Sequence, residues 1–435
     1  MGLLSLVTGR GRAPRDRVNI GSSEFKANPY PFYARLRAEA PIHRIILPTR
    51  EAAWLITRYD DVVQVLKDER FAKDTANALT PEQAARQPWF RKLFKALKRN
   101  MLNQDSPNHE RLRALVSKAF TPRLIEGMRD RIQALTDHLL DKVQERGRMD
   151  LIRDYALPLP TTIMACLLGV PARDRHEFHH RSNAIVSAST STWGLVKAVP
   201  NAWALIRYLR KIIRQRRTNP QDDLVSALAR AEEAGDRLNE DELLAMVFLL
   251  LVAGHETTVN LIGSGMLALL DHPDQMERLR DDPALIKPAV EELLRFTSPV
   301  ELATERYARE DVTLGGVTIP RGDMVYAVLA SANHDERQFP NPEKLDLTRE
   351  PNRHLAFGLG AHFCLGAPLA RLEGQIAINT LLRRLPDLRL TVAEKVLRWR
   401  GGILLRGLEA LPVAWDQCRA EADQVAHALF RLRAD

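Results

Sequence analysis

The chain reads as a mainly helical fold with a smaller β part, and three observations carry that reading. Most of its length shows apolar residues at helical spacing, in segments at roughly 121–146, 154–169, 172–188, 195–217 and 367–384. One run, from Leu238-Asn239 to Leu270-Asp271, is apolar nearly all round between Leu243 and Val252, as a helix at the centre of a core must be. Short alternating stretches, at Pro41–Leu47, Ala53–Arg58 and within 302–332, supply the strands.

Taken in order, residues 1–27 are expected to be irregular, with 11–26 polar and basic. A short helix follows Asn28-Pro29-Tyr30-Pro31, then two strands about the turn at Pro48-Thr49-Arg50-Glu51, then a helix over Tyr59–Asp68. Residues 72–105 lack a clean period and mix Trp89, Phe90, Phe94 and Leu97 with many cations. Asn239 with Glu242 three residues on forms a capping-box signature, and Pro273 closes the far end of the long run. About 32 residues at 1.5 Å each give a rod of roughly 48 Å. Its abruptly polar middle argues against a membrane span. Val312-Thr313-Leu314, Gly315-Gly316 and Val317-Thr318-Ile319 read as a hairpin, and short strands are expected near 388–392 and 403–414. Residues 416–435 form a charged extension. Without a linker, repeat or low-complexity run to divide it, residues 1–435 read as a single domain.

The chain has 435 residues, 63 Lys+Arg against 55 Asp+Glu, and a net charge of +8. The cations are spread along the sequence without a recognition motif, so no nucleic-acid partner is expected. Cys166, Cys364 and Cys418 give no disulfide framework, and Met1–Val7 is too short for a signal core. A cytoplasmic protein is expected.

Chemistry concentrates in two stretches. In Phe357-Gly358-Leu359-Gly360-Ala361-His362-Phe363-Cys364-Leu365-Gly366 a cysteine sits between glycines, just ahead of a helix opened by Pro368. Helix N-terminal N–H groups favour its thiolate, which makes it a metal ligand or a nucleophile; a small buried hydrophobe in a tight turn is the third possibility. In Ala253-Gly254-His255-Glu256-Thr257-Thr258 an acid and an alcohol interrupt the most apolar helix, which is costly unless they are paired or functional. A polar notch paired with neighbouring helices is the alternative.

The spacing Phe, two residues, Gly, three residues, Cys, one residue, Gly resembles the haem-binding loop of the cytochrome P450 family at every fixed position. The 253–258 stretch resembles that family's oxygen-activation motif. The resemblance covers about residues 28–415 and implies the cytochrome P450 fold, with haem b (iron protoporphyrin IX) between a long central helix and the cysteine loop. It implies Cys364 as axial thiolate, with Phe357, Gly358 and Gly366 shaping the loop. His109, Arg113, Arg306 and His362 would bind the haem propionates. Glu256 and Thr257 would be catalytic, Thr257 as hydrogen-bond partner of dioxygen and Glu256 in proton delivery, with Ala253 and Gly254 lining the oxygen pocket. His255 is expected to face the helix surroundings.

Glu292 and Arg295, a Glu-x-x-Arg spacing that alone means little, would join Arg349 in a structural cluster, and Val300, Leu302 and Ala303 would edge the substrate pocket. Implied with the fold is a monomeric monooxygenase for an apolar small molecule, using dioxygen. Its electrons would come from a ferredoxin or flavodoxin with its reductase, docking on a basic patch. A peroxide-driven haem-thiolate oxygenase and a non-enzymatic haem sensor are the alternatives; the Glu256–Thr257 pair argues against the first. Segments 72–105 and 172–200 are expected to wall the pocket.

Overall fold

The central helix forms as the capping signature predicts. It spans Glu240–Asp271; the Asn239 side chain accepts from the Glu242 N–H, and the Glu242 carboxylate accepts from the Asn239 N–H. Glu240, Asp241 and Glu242 also place negative charge at the positive end of the helix dipole. Leu243–Val247 and Val259–Leu269 are buried on all sides, so the helix, although long and apolar enough to cross a membrane, is enclosed by protein. It packs against helices Pro158–Leu167, Thr192–Thr218, Ile286–Thr297 and Ala367–Arg384. These, with Asn108–Ala119 and Arg129–Gln144, enclose the largest apolar core. This computed structural model describes residues 18–48, 51–85, 96–174, 177, 192–233 and 235–416.

The β part is a five-stranded sheet in the spatial order Ile42–Ile46, Ala52–Ile56, Met324–Ala327, Arg306–Ala308, Phe71–Ala72. The first pair is antiparallel in the register Ile42↔Ile56, the next parallel with Val325↔Trp54, the rest antiparallel. Each sheet face covers its own apolar cluster. A smaller sheet joins Arg389–Leu390, Pro412–Ala414 and Arg148–Asp150.

Four boundaries differ from the sequence reading. Ser23–Ala27, within the stretch expected to be irregular, is a short helix whose N-cap Ser22 side chain accepts from the Phe25 N–H. The segment 121–146 is two helices, Pro122–Glu126 and Arg129–Gln144; the ladder breaks between them, where the Met128 N–H donates to Ile125, three residues back, instead of four. A single π turn, Ile152–Ala156, precedes Pro158–Leu167, since Pro158 has no N–H to continue the ladder. Of 403–414 only Pro412–Ala414 is a strand; the Leu404 carbonyl instead accepts from Glu301 and Leu302. Most of 178–191, Trp89, Phe90 and Phe94, and the extension beyond residue 416 lie outside the described residues.

Candidate active site: a cysteine loop, an acid–alcohol pair and a buried cationic cluster

The cysteine loop is built by short-range bonds. The Cys364 N–H donates to the Phe357 carbonyl at 3.0 Å and the Gly358 N–H to Leu355 at 2.8 Å. Gly358 takes φ +69°, and a Cβ there would meet nothing within 4 Å, so a surface can approach the bare backbone. The helix that follows is Ala367–Arg384 with Pro368 in its first turn. The Arg371 guanidinium lies 4.5 Å from the Phe357 ring centre and pins the loop's first residue.

Cys364 is set deep among protein atoms, yet its own surface is exposed. These two facts agree only if the sulfur faces an internal void. Ala253 tells the same story from the central helix: it is exposed although its neighbours Leu251 and His255 are buried. Burial pushes the Cys364 thiol up, against the N–H groups of Gly366 and Ala367 and the charges of Arg113 and Arg371, which pull it down. The N–H groups at the helix start act in the direction the sequence predicts, and desolvation opposes them. A bound cation would reverse the balance.

Thr257 and Ala253 are one turn apart, and the Thr257 hydroxyl donates to the Ala253 carbonyl at 3.0 Å, leaving its lone pairs free to accept. Burial raises the Glu256 carboxyl above its ordinary range, and Arg400 draws it back, with Nη1 at 3.5 Å from Oε1. His255 is buried, its Nδ1 on the Leu251 carbonyl at 2.8 Å. Gly254 points elsewhere than expected. A Cβ there would lie 2.7 Å from Met164 Sδ, so its missing side chain lets helix Pro158–Leu167 close on the central helix.

Two histidines, two arginines and a lysine gather beside the loop. The His109 and His362 rings lie 4.2 Å apart, and Arg113 Nη1 donates to the Phe363 carbonyl at 2.8 Å. Arg306 donates to the carbonyls of Phe71 and Leu66, while its Nε and His109 Nε2 are buried without a partner. Burial and then Arg306 depress His362 to about 3, and the same two causes, in the same order, bring Lys73 to about 7. Burial lowers Arg306 to about 10, with Asp105 acting against it. Lys73 carried no sequence signal; it lies just after the strand Phe71–Ala72 and donates to the carbonyls of Thr304 and Glu305. Two guanidinium groups, an ammonium and two imidazoles together make an edge complementary to an anion.

Among the described residues no three His, Cys, Asp or Glu side chains converge as a protein-built metal site would require. A lone sulfur on a void, an uncrowded glycine backbone and an unneutralised cationic edge suit a flat group that brings its own metal ligands and carboxylates. Haem meets those requirements, and Cys364, His109, Arg113, Arg306 and His362 fit it.

Glu292 and Arg295 are fully buried and joined twice at 2.8 Å; Arg349 reaches the same carboxylate at 3.1 Å. Leu302 departs from expectation. It is wholly enclosed with Tyr33, Tyr326 and Val328 in the sheet core, so its side chain edges no pocket, whereas Val300 and Ala303 are half-buried. Sequence reasoning also missed Glu373, nine residues beyond the cysteine. It is fully buried, neither carboxyl oxygen has a well-formed partner, and burial raises it to about 8, with the Thr258 hydroxyl acting the other way.

Comparison with known proteins gives a consistent result. The profile of the Cytochrome P450 family matches residues 18–386. The polyketide biosynthesis cytochrome P450 PksS of Bacillus subtilis is 47% identical over 400 residues, covering 90% of this chain and 96% of that protein. Cytochrome P450 monooxygenase PikC of Streptomyces venezuelae is 46% identical, covering 91% and 93%. The crystal structure of P450BioI with a hexadec-9Z-enoic acid-ligated acyl carrier protein superposes with a TM-score of 0.83 at 41% identity, covering 91% of this chain and 99% of that one. With the cysteine loop, the acid–alcohol helix and the sheet arranged as described, the chain belongs to the cytochrome P450 family and is a monooxygenase with a haem-iron cofactor.

Proposed function

We propose that this protein is a cytoplasmic haem b monooxygenase that inserts one oxygen atom from dioxygen into an apolar small molecule, by hydroxylation or epoxidation. Electrons come from a separate ferredoxin or flavodoxin and its reductase. The observation that carries the reading is the pairing of an open Cys364 with an acid–alcohol pair at a break in an otherwise apolar, buried helix.

The roles follow from the chain's own atoms. Cys364 Sγ would hold the haem iron, and the N–H groups behind it and the two arginines would stabilise its negative charge. His109, Arg113, Arg306 and His362 receive the carboxylates at the cofactor's edge, and Lys73 adds to that field. When bound, the haem supplies the oxidation chemistry. Glu256, whose carboxyl burial raises above its ordinary range, is the proton donor; Arg400 orients it. Thr257, whose own proton is committed to Ala253, accepts a hydrogen bond on the pocket side and positions the proton's target. The Glu256–Thr257 pair favours dioxygen use over a peroxide-driven reaction, which has less need of delivered protons.

The test is spectroscopic. The reduced carbonyl adduct of the purified protein should absorb as thiolate-ligated haem, and Cys364→Ser should abolish that band. A wild-type protein whose adduct resembles histidine-ligated haem would refute the assignment.

A further inference from the structure

The helix Thr192–Thr218 carries a feature that oxygen chemistry does not use. Between residues 192 and 217 the sequence holds Lys197, Arg207, Arg210, Lys211, Arg214, Arg216 and Arg217, and no acidic residue. The helix buries Ala202, Leu205, Leu209, Ile212 and Ile213 against the protein. Its opposite face runs Trp203, Arg207, Arg210, Arg214, Arg217, at alternating steps of four and three that place these residues in one line. Trp203 is 56% exposed, unusual for the largest apolar side chain. Arg207, Arg210, Lys211, Arg214 and Gln215 line a shallow open depression. Among the described residues the stripe's counter-charge is loose: Arg214 lies 3.8 Å from Glu240, both well exposed. Arg216 is different in kind, turned inward onto Asp223 and the Gly169 carbonyl.

A line of cations headed by one exposed indole, on a helix whose aliphatic side is already occupied, suits a rigid acidic partner. A helix built to lie in a membrane would present that aliphatic side outward. We propose that this face docks a small acidic acyl carrier protein, which presents its tethered acyl chain to the pocket. The proposal rests on the oxygenase reading and adds to it the form in which substrate arrives. The chemistry of the face is electrostatic steering closed by one aromatic anchor. The solved complex of the related P450BioI with an acyl-loaded carrier shows that this fold accepts such a partner.

The experiment measures binding of fluorescently labelled acyl carrier protein, loaded with hexadec-9Z-enoic acid, to the haem-loaded enzyme by anisotropy. Saturable binding is expected, weakening steeply between about 50 and about 500 mM salt, as the screening length falls from roughly 14 to roughly 4 Å. Arg207→Glu/Arg210→Glu/Arg214→Glu should weaken it by about tenfold or more, and Trp203→Ala by several-fold. The neutral variant Arg207→Gln/Arg210→Gln/Arg214→Gln should fall between and guards against misfolding of the reversed one. The Soret response of each variant to free hexadec-9Z-enoic acid should match wild type. Absence of saturable binding, or equal affinity across the variants, overturns the proposal. So does a stripe whose substitution abolishes binding to phosphatidylglycerol vesicles and leaves the carrier's affinity untouched. A haem spectrum that is not thiolate-ligated would instead sink the oxygenase reading, so the two failures are distinguishable.

Discussion

Arg295→Ala should unseat the fold beside the haem loop without touching the chemistry. Glu292 accepts from Arg295 Nε and Nη2, both at 2.8 Å, and at 3.1 Å each from Arg349 Nε, the Asp346 N–H and Asn352 Nδ2. Arg295 also donates to the carbonyls of Asn333 and Pro342 at 2.9 Å and lies 5.4 Å over the Phe339 ring. Truncation leaves a fully buried carboxylate with about half its charge compensation and orphans two carbonyls. Breaking a buried pair in this way costs about 3–5 kcal/mol. With an unfolding entropy near 2.1 cal/mol/K per residue, 435 residues give roughly 0.9 kcal/mol/K, so Tm should fall by about 3–6 °C. The Asn333 side chain in turn accepts from the Leu355 N–H at 2.7 Å, ahead of the cysteine loop, so haem content should drop as well. Arg295→Lys keeps the charge but loses the fork, and should lie between. Urea unfolding and the haem-to-protein absorbance ratio measure both effects. A loss under about 1 kcal/mol, or Lys behaving like Ala, would refute the view that the paired geometry holds this region.

Three further outcomes are expected. Thr257→Ala should bind substrate normally but release peroxide in place of product, seen as a lower product yield per reducing equivalent; unchanged coupling would remove Thr257 from the mechanism. Arg400→Gln should slow dioxygen-driven turnover by about 10- to 100-fold, the scale of a misplaced acid, and spare turnover driven by added peroxide; equal losses in both would make Arg400 merely structural. Glu373, raised by burial to about 8 from 4.5, keeps its proton in the folded state between those values while the unfolded chain loses it. Wild-type stability should therefore decline from about pH 4.5 to 8 and level off above. Glu373→Gln should flatten that slope and be the more stable protein at pH 8 in urea unfolding, and parallel pH curves would contradict the buried neutral acid.

Much of this architecture was legible because it is local. The capping box, the prolines at helix starts and the alternation of Ile42–Ile46 fix elements through neighbours a few residues apart, and those elements formed. The cysteine loop and the acid–alcohol stretch were legible for another reason: chemistry demands fixed residue types at fixed spacing. What escaped depends on contacts far apart in sequence. Lys73 reaches Thr304 and Glu305 across 231 and 232 positions, and Arg400 meets Glu256 across 144. Leu302 is drawn into the sheet core by Tyr33 and Tyr326, partners no local pattern reveals. The desolvation that opposes the helix-start N–H groups at Cys364 was equally hidden, because burial is a property of the whole fold.

The joint between Gly254 and Met164 has a consequence for redesign. The oxygen-handling stretch and a helix without chemistry of its own share one thioether-filled seam, so a change on the quiet side is felt on the reactive side. Replacing Met164 by a stiffer or bulkier residue would lever the glycine's turn outward and carry the carboxyl two residues on with it. Altering substrate range through this helix would therefore also retune how electrons are apportioned between product and waste.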